Sequence, residues 1–209
     1  MRSGTALAPE RLRSGSALIL GRSLSDLEAD RLLKYLELLI KWQRSQRLVG
    51  SSDPNWIIDH IVLDSILFTR LLPFGAKRIL DVGSGAGVPG IPLKIVLEDT
   101  AFALLEARAK RASFLSAVVR ELELRDCEIL NARLETIAAE PTTRFDAIVM
   151  RCAGDPPELR ETALRLLRPT GIMVVAGPPS RRPTSGGDWT EIEGPVGRRL
   201  FWVARKLDV

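Results

Sequence analysis

Two cysteines and a single histidine in 209 residues leave little material for metal or thiol chemistry. Cys127 and Cys152 show no metal-ligand spacing and fit a reducing compartment as free thiols. His60 stands alone, so no metal is expected. Long apolar runs are missing too. Nothing approaches the roughly 18 to 20 residues that span a bilayer, and Ala17-Leu18-Ile19-Leu20 is too short for a signal-peptide core. These absences point to a cytoplasmic chain with no membrane partner. No internal repeat is present, and 45% hydrophobic against 27% charged residues excludes a disordered chain. The length suits one domain with a small appendage, read here as a monomer.

Acidic residues fall short of basic ones, 26 against 30, which leaves a net charge of +4. Charge alone does not identify a partner. The arginines are clustered, however, at Lys41/Arg44/Arg47, Arg108/Lys110/Arg111, Arg165/Arg168, Arg181/Arg182 and Arg198/Arg199. Each cluster by itself reads as a solvated face; together they favour a phosphate-rich partner such as RNA.

The chain reads first as helices and then as alternating strands and helices. Residues 1–23 are expected to be a flexible basic tail. From Leu24 to Trp42, Leu27, Leu32, Leu36, Leu39 and Ile40 recur at helical spacing behind a Ser25/Glu28 capping box. After a turn at Ser51-Ser52-Asp53-Pro54-Asn55, a second helix is expected from about Trp56 to Leu72, ended by Pro73. Residues 24–74 thus form a helical appendage. Beyond Gly75, strand-like runs at Arg78 to Val82, Phe102 to Glu106, Cys127 to Asn131, Phe145 to Met150 and Gly171 to Ala176 alternate with helical patterns. The helices are Ile91 to Leu97, Arg108 to Leu122 and Pro157 to Leu167. Such alternation demands a mostly parallel, doubly wound sheet, so 75–209 is expected to be a Rossmann-like α/β domain. A loop over Pro178 to Asp188 and two closing antiparallel strands, near Trp189 to Ile192 and Arg199 to Lys206, complete it.

Within this pattern, Ile79-Leu80-Asp81-Val82-Gly83-Ser84-Gly85-Ala86-Gly87-Val88-Pro89-Gly90 places four glycines directly after the first strand. Glycine permits positive φ and close approach of backbone N–H groups to a ligand. Gly85, Gly87 and Gly90 fit G-x-G-x-x-G, and Glu106 ends the next strand about twenty residues on, as dinucleotide binding requires. An adenosyl ligand without a pyrophosphate needs the same acid for its ribose hydroxyls. Glu106 serves either ligand.

The whole pattern separates them. Leu80-Asp81-Val82-Gly83-Ser84-Gly85-Ala86-Gly87 resembles the first motif of class I S-adenosylmethionine-dependent methyltransferases. Continued by Val88-Pro89-Gly90-Ile91-Pro92-Leu93, and joined to Leu104-Leu105-Glu106, Lys110-Arg111 and Phe114-Leu115, it resembles the RsmG (GidB) family from Leu24 to the C-terminus. That family methylates N7 of a guanine in 16S ribosomal RNA. The resemblance implies S-adenosyl-L-methionine as cofactor and 16S rRNA or the small ribosomal subunit as partner. It places cofactor contacts on Asp81, Gly83, Gly85, Gly87, Val88, Leu134, Glu135 and Arg151, with Glu106 as ribose acceptor. Arg108, Lys110, Arg111 and Arg151 become the candidate RNA contacts. Each has a plain structural alternative: Asp81 as a brace of the turn, Glu135 as a helix cap, Arg151 as half of an ion pair.

The chain departs from the family in several places. Trp42-Gln43 and Arg47-Leu48-Val49 replace Trp-Asn and Asn-Leu-Thr; Met150-Arg151-Cys152-Ala153 replaces Ser-Arg-Ala; and Ala176-Gly177-Pro178 stands where Lys-Gly is common. The family's His-x-x-Asp-Ser is read as His60-Ile61-Val62-Leu63-Asp64-Ser65, one residue wider, which puts His60 and Asp64 on one helix face as a polar pair beside the cofactor or a surface pair. They are the only acid–base candidates. Transfer to N7 needs no base, because N7 carries a free lone pair. Three rivals remain: pyrimidine C5 methylation through a Cys152 nucleophile, a small-molecule acceptor on the same fold, and a non-catalytic RNA-binding assembly factor.

Overall fold

The computed structural model describes residues 8–139, 144–151, 156–177 and 186–206. A seven-stranded sheet in the order β3-β2-β1-β4-β5-β7-β6 organises it. Strands β1 (Arg78–Val82), β2 (Ala101–Leu105), β3 (Cys127–Leu130), β4 (Phe145–Arg151) and β5 (Leu167–Ala176) pair in parallel. The hairpin β6 (Asp188–Gly194) and β7 (Gly197–Arg205) closes the edge, β7 running antiparallel to β5. This is the doubly wound arrangement the alternation implied, and its strand order reverses between β1 and β4.

The central strands are apolar on both faces because helices cover both. Ile79, Phe102, Leu104, Ala147, Val149, Ile172 and Val174 point to one side, where they meet α2 (Asp26–Gln46), α5 (Gly90–Val96) and α6 (Ala109–Glu121). Their sequence neighbours Leu80, Ala103, Leu105, Ile148, Met150, Met173 and Val175 point to the other, against α7 (Leu134–Ala139) and α8 (Pro156–Leu166). The period of two along each strand thus sorts one core into two layers.

The N-terminal segment departs from expectation. Residues 8–20 are not a flexible tail but a helix, α1 (Ala8–Leu20), which buries Leu12 and Ile19 in the core layer shared by α2 and one face of the sheet. Arg11 fixes it to the next helical run, donating from Nε and Nη2 to the two Asp59 carboxylate oxygens at 2.6 and 2.5 Å. Helix α2 begins at the expected capping box: Ser25 Oγ accepts from the Glu28 N–H at 3.2 Å, and Glu28 accepts from the Ser25 N–H at 2.7 Å.

The second expected helix is a composite. It starts as α3 (Pro54–Ile57), widens to a π-helical turn over Ile58–Leu63, returns to α in α4 (Asp64–Ile66) and tightens to 3₁₀ over Leu67–Arg70. Single π turns inside α-helices recur at functional sites. Strand β5 also begins earlier than Gly171: Leu167 pairs with Phe145, then the register shifts and Ile172 pairs with Ala147.

Candidate active site

Strand β1 ends in Asp81-Val82, and the glycine loop leaves its carboxyl end above β2. Gly83, Gly85 and Gly87 take φ of 71°, 56° and 86°, a left-handed conformation that side chains with a Cβ rarely adopt. Gly83 and Ser84 both donate backbone N–H groups to the Leu105 carbonyl, at 2.8 and 3.0 Å. The loop is therefore tied to the end of β2 before it turns into α5.

Two carboxylates brace it from below. Asp81 is fully buried and accepts the Gly90 N–H at 3.0 Å through Oδ2, while its Oδ1 has no hydrogen-bond partner. Burial pushes its carboxyl up to about 7, against the opposing pull of the Gly90 N–H. Only glycine fits at position 90, since a Cβ there would stand 2.4 Å from Leu104 Cδ2 and 2.6 Å from that same Oδ2. Glu106, also buried, accepts the Gly85 N–H at 3.0 Å on Oε2 and the Arg108 N–H at 2.7 Å on Oε1. Each oxygen keeps a second lone pair for a ligand. Arg111 Nη1 lies 3.5 Å from where a Gly85 Cβ would be, so the absent side chain leaves room between a guanidinium and a carboxylate.

The remaining expected residues divide. Asp81, Gly83, Gly85, Gly87, Val88, Glu106 and Arg111 gather around this loop. Leu134 is buried at the start of α7, packed in the layer that holds Val82 and Leu105, whereas Glu135 beside it is exposed. Arg108 and Lys110 are exposed at the start of α6. Arg151 ends β4, next to β1, with Nη2 3.7 Å from Asp64 Oδ2 and Nη1 buried without a partner.

His60 and Asp64 do come together, through a residue the sequence offered only as half of a basic cluster. Arg199 on β7 donates from Nε to Asp64 Oδ1 at 2.8 Å and sets Nη2 3.3 Å from His60 Nδ1. One carboxylate of the appendage thus holds guanidinium groups from two strands of the sheet. Two further residues carried no local signal. Asn131 donates from Nδ2 to the Glu106 carbonyl at 2.7 Å, and the wholly buried Tyr35 of α2 donates its hydroxyl to the Ala86 carbonyl of the glycine loop at 2.7 Å. Tyr35 thereby ties the appendage to the loop; burial raises its phenol well above the ordinary range.

Burial pushes the Cys127 thiol up to about 12, far from a reactive thiolate. Cys152 lies outside the described residues. Among the described residues no group of three or more His, Cys, Asp or Glu is placed to hold a metal ion, and no helix is long and apolar enough to cross a membrane.

Comparison with known proteins bears on the fold and the family. Among solved structures, the O-methyltransferase TomG of Streptomyces achromogenes, crystallised with S-adenosylmethionine, matches over all of both chains at 17% identity with a TM-score of 0.59. The precorrin-6y C5,15-methyltransferase of Geobacter metallireducens covers 78% of this chain and 93% of its own at 10% identity, TM-score 0.55. These likenesses speak for the fold. In sequence, the ribosomal RNA small subunit methyltransferase G of Stutzerimonas stutzeri is 42% identical over 135 residues, 63% of this chain and 60% of that protein. The Yersinia pseudotuberculosis protein of the same name is 36% identical over 170 residues, 75% of this chain and 81% of its own. The chain spans 60% and 64% of the Stutzerimonas and Syntrophus aciditrophicus relatives. The GidB family model, rRNA small subunit methyltransferase G, matches residues 28–177, from the first turn of α2 through the glycine loop to the end of β5. With that span and these identities, the chain belongs to the rRNA small subunit methyltransferase G family.

Proposed function

We propose that this chain transfers a methyl group from S-adenosyl-L-methionine to N7 of a guanine in 16S rRNA, acting as a monomer in the cytoplasm. The observation that carries the reading is the glycine loop pinned between Asp81 and Glu106, two buried carboxylates at the ends of adjacent strands. The fit of the cofactor rests on these groups. Glu106 has acceptor capacity beyond its two backbone contacts for ribose hydroxyls, and the loop without a Cβ at Gly83, Gly85 and Gly87 offers a close backbone surface. Val88, Leu134 and Glu135 would complete the walls. When bound, S-adenosylmethionine supplies an electrophilic methyl group on a sulfonium.

The protein's part is to orient. N7 brings its own lone pair, so no residue needs to remove a proton, and alignment alone supplies up to roughly 7 to 11 kcal/mol. His60 and both Asp64 oxygens already face guanidinium groups, which supports a positioning role for them rather than acid–base work. Arg151 is left with a buried, unpartnered Nη1 at the end of β4. A guanidinium directed at a guanine must address O6, since donating to N7 would occupy the attacking lone pair. Arg108, Lys110 and Arg111, at the start of α6, would meet the RNA backbone.

Calorimetry with S-adenosylmethionine tests the foundation. Binding is expected; no binding at millimolar ligand would remove the enzyme reading and leave an RNA-binding factor on a methyltransferase fold.

A further inference from the structure

The appendage presents an aromatic side chain that the reading above does not use. Trp56, in α3, is 36% exposed, and its ring centroid lies 4.9 Å from that of His60 with the planes tilted by 52°. A single exposed apolar side chain is ordinary. This one begins a continuous series: Trp56 meets His60, His60 meets Arg199, Arg199 meets Asp64, and Asp64 meets Arg151 at the carboxyl end of β4. The series runs from an exposed indole to the edge of the sheet where the glycine loop also lies.

A guanidinium only donates, so the 3.3 Å contact directs an Arg199 Nη2–H at His60 Nδ1. That contact fixes the imidazole plane beside the indole. Two guanidinium groups share the one Asp64 carboxylate, and no other acid among the described residues pairs with Arg151 or Arg199, so one positive charge is left over. Flat, rigid π surfaces next to an uncompensated positive charge suit a nucleobase carried on a phosphate backbone, because stacking takes any base and the charge attracts its phosphate.

We propose that Trp56 and His60 form a stacking subsite for an unpaired nucleobase of the RNA substrate, at the mouth of the site and apart from the base that reacts. The subsite rests on the rRNA-methyltransferase reading. Its occupant is single-stranded RNA, whose bases stack on the rings and whose phosphates meet the guanidinium charge.

The test uses the full chain, S-adenosylmethionine and 16S rRNA from cells lacking the modification. Trp56→Ala is expected to raise KM for the rRNA about tenfold while kcat and cofactor affinity stay within about twofold; Trp56→Phe, which keeps a flat ring, returns KM to within about threefold. A second readout needs no methyl transfer. A single-stranded guanosine-containing RNA oligonucleotide, added to protein loaded with S-adenosylhomocysteine, quenches tryptophan fluorescence in the wild type, and Trp56→Phe loses most of that quench. An unchanged KM in Trp56→Ala overturns the subsite, as does a Trp56→Phe variant as impaired as the alanine. Should the wild type transfer no methyl to rRNA, the parent reading fails, and the fluorescence alone then decides: a quench independent of Trp56 overturns the subsite too.

Discussion

Glu106 holds backbone N–H groups from two different loops, at Gly85 and Arg108, and is the side chain on which the cofactor reading depends most. Replacing Glu106 with Ala removes a charged acceptor, an interaction of about 1.5 to 3 kcal/mol, so affinity for S-adenosylmethionine is expected to fall about 10- to 150-fold. Calorimetry reads the loss, and circular dichroism should show the fold retained; unchanged affinity would remove Glu106 from its role. Asp81 leads to a pH effect of definite sign. Its carboxyl sits at about 7 in the folded chain because it is buried, above its value of about 4 when unfolded. Between those values the folded state keeps a proton the unfolded state has lost, so stability falls as pH rises from about 4 to 7 and levels off above. Three units correspond to an upper figure on the order of 4 kcal/mol. Urea unfolding of wild type and Asp81→Asn at pH 5 and pH 7.5 checks this: the wild type should lose the larger share of its stability, and parallel behaviour of the two would contradict the assignment.

Among the elements, α1 separates what was legible from what was not. Its apolar face is thin in sequence because Gly15 and Ser16 complete it, both buried beside Leu12 and Ile19, and neither reads as hydrophobic. The segment consequently looks like a basic tail, and only the packing against the π-helical turn and the Arg11–Asp59 pair show it to be structural. Leu12→Ala in a flexible tail would cost nothing; in this helix it should cost about 2 to 5 kcal/mol in chemical denaturation. A change below about 0.5 kcal/mol would restore the tail. The second helix stands where its periodicity puts it, over residues 54–70, but its composite character is not legible, because the switch to a π turn leaves apolar spacing nearly unchanged. The capping box of α2, by contrast, is a local signal and stands as read.

For the whole molecule, the alternation of strands and helices was enough to reach the sheet, because crossover handedness and burial on both faces leave few other arrangements. The site was legible to the extent that it is local: Asp81, the glycines and Glu106 lie at predictable strand ends. Tyr35, Asn131 and Arg199 were not legible as site residues, since each acts across tens of residues on a loop or side chain that only the fold brings near. The same holds for the Asp64 hub, whose two arginines come from β4 and β7 and whose carboxylate comes from the appendage. The appendage and the sheet domain are therefore coupled at both ends of the proposed site, through Tyr35 at the glycine loop and through Asp64 at the strand ends. The central claim is that this coupled site delivers a methyl group to guanine N7 of 16S rRNA. The most direct measurement is to incubate the protein with methyl-labelled S-adenosylmethionine and either naked 16S rRNA or small subunits from a deletion strain, then map the labelled atom. Label on N7 of one guanine is the expected result; label on a pyrimidine carbon, or none on either substrate while the cofactor binds, would contradict it.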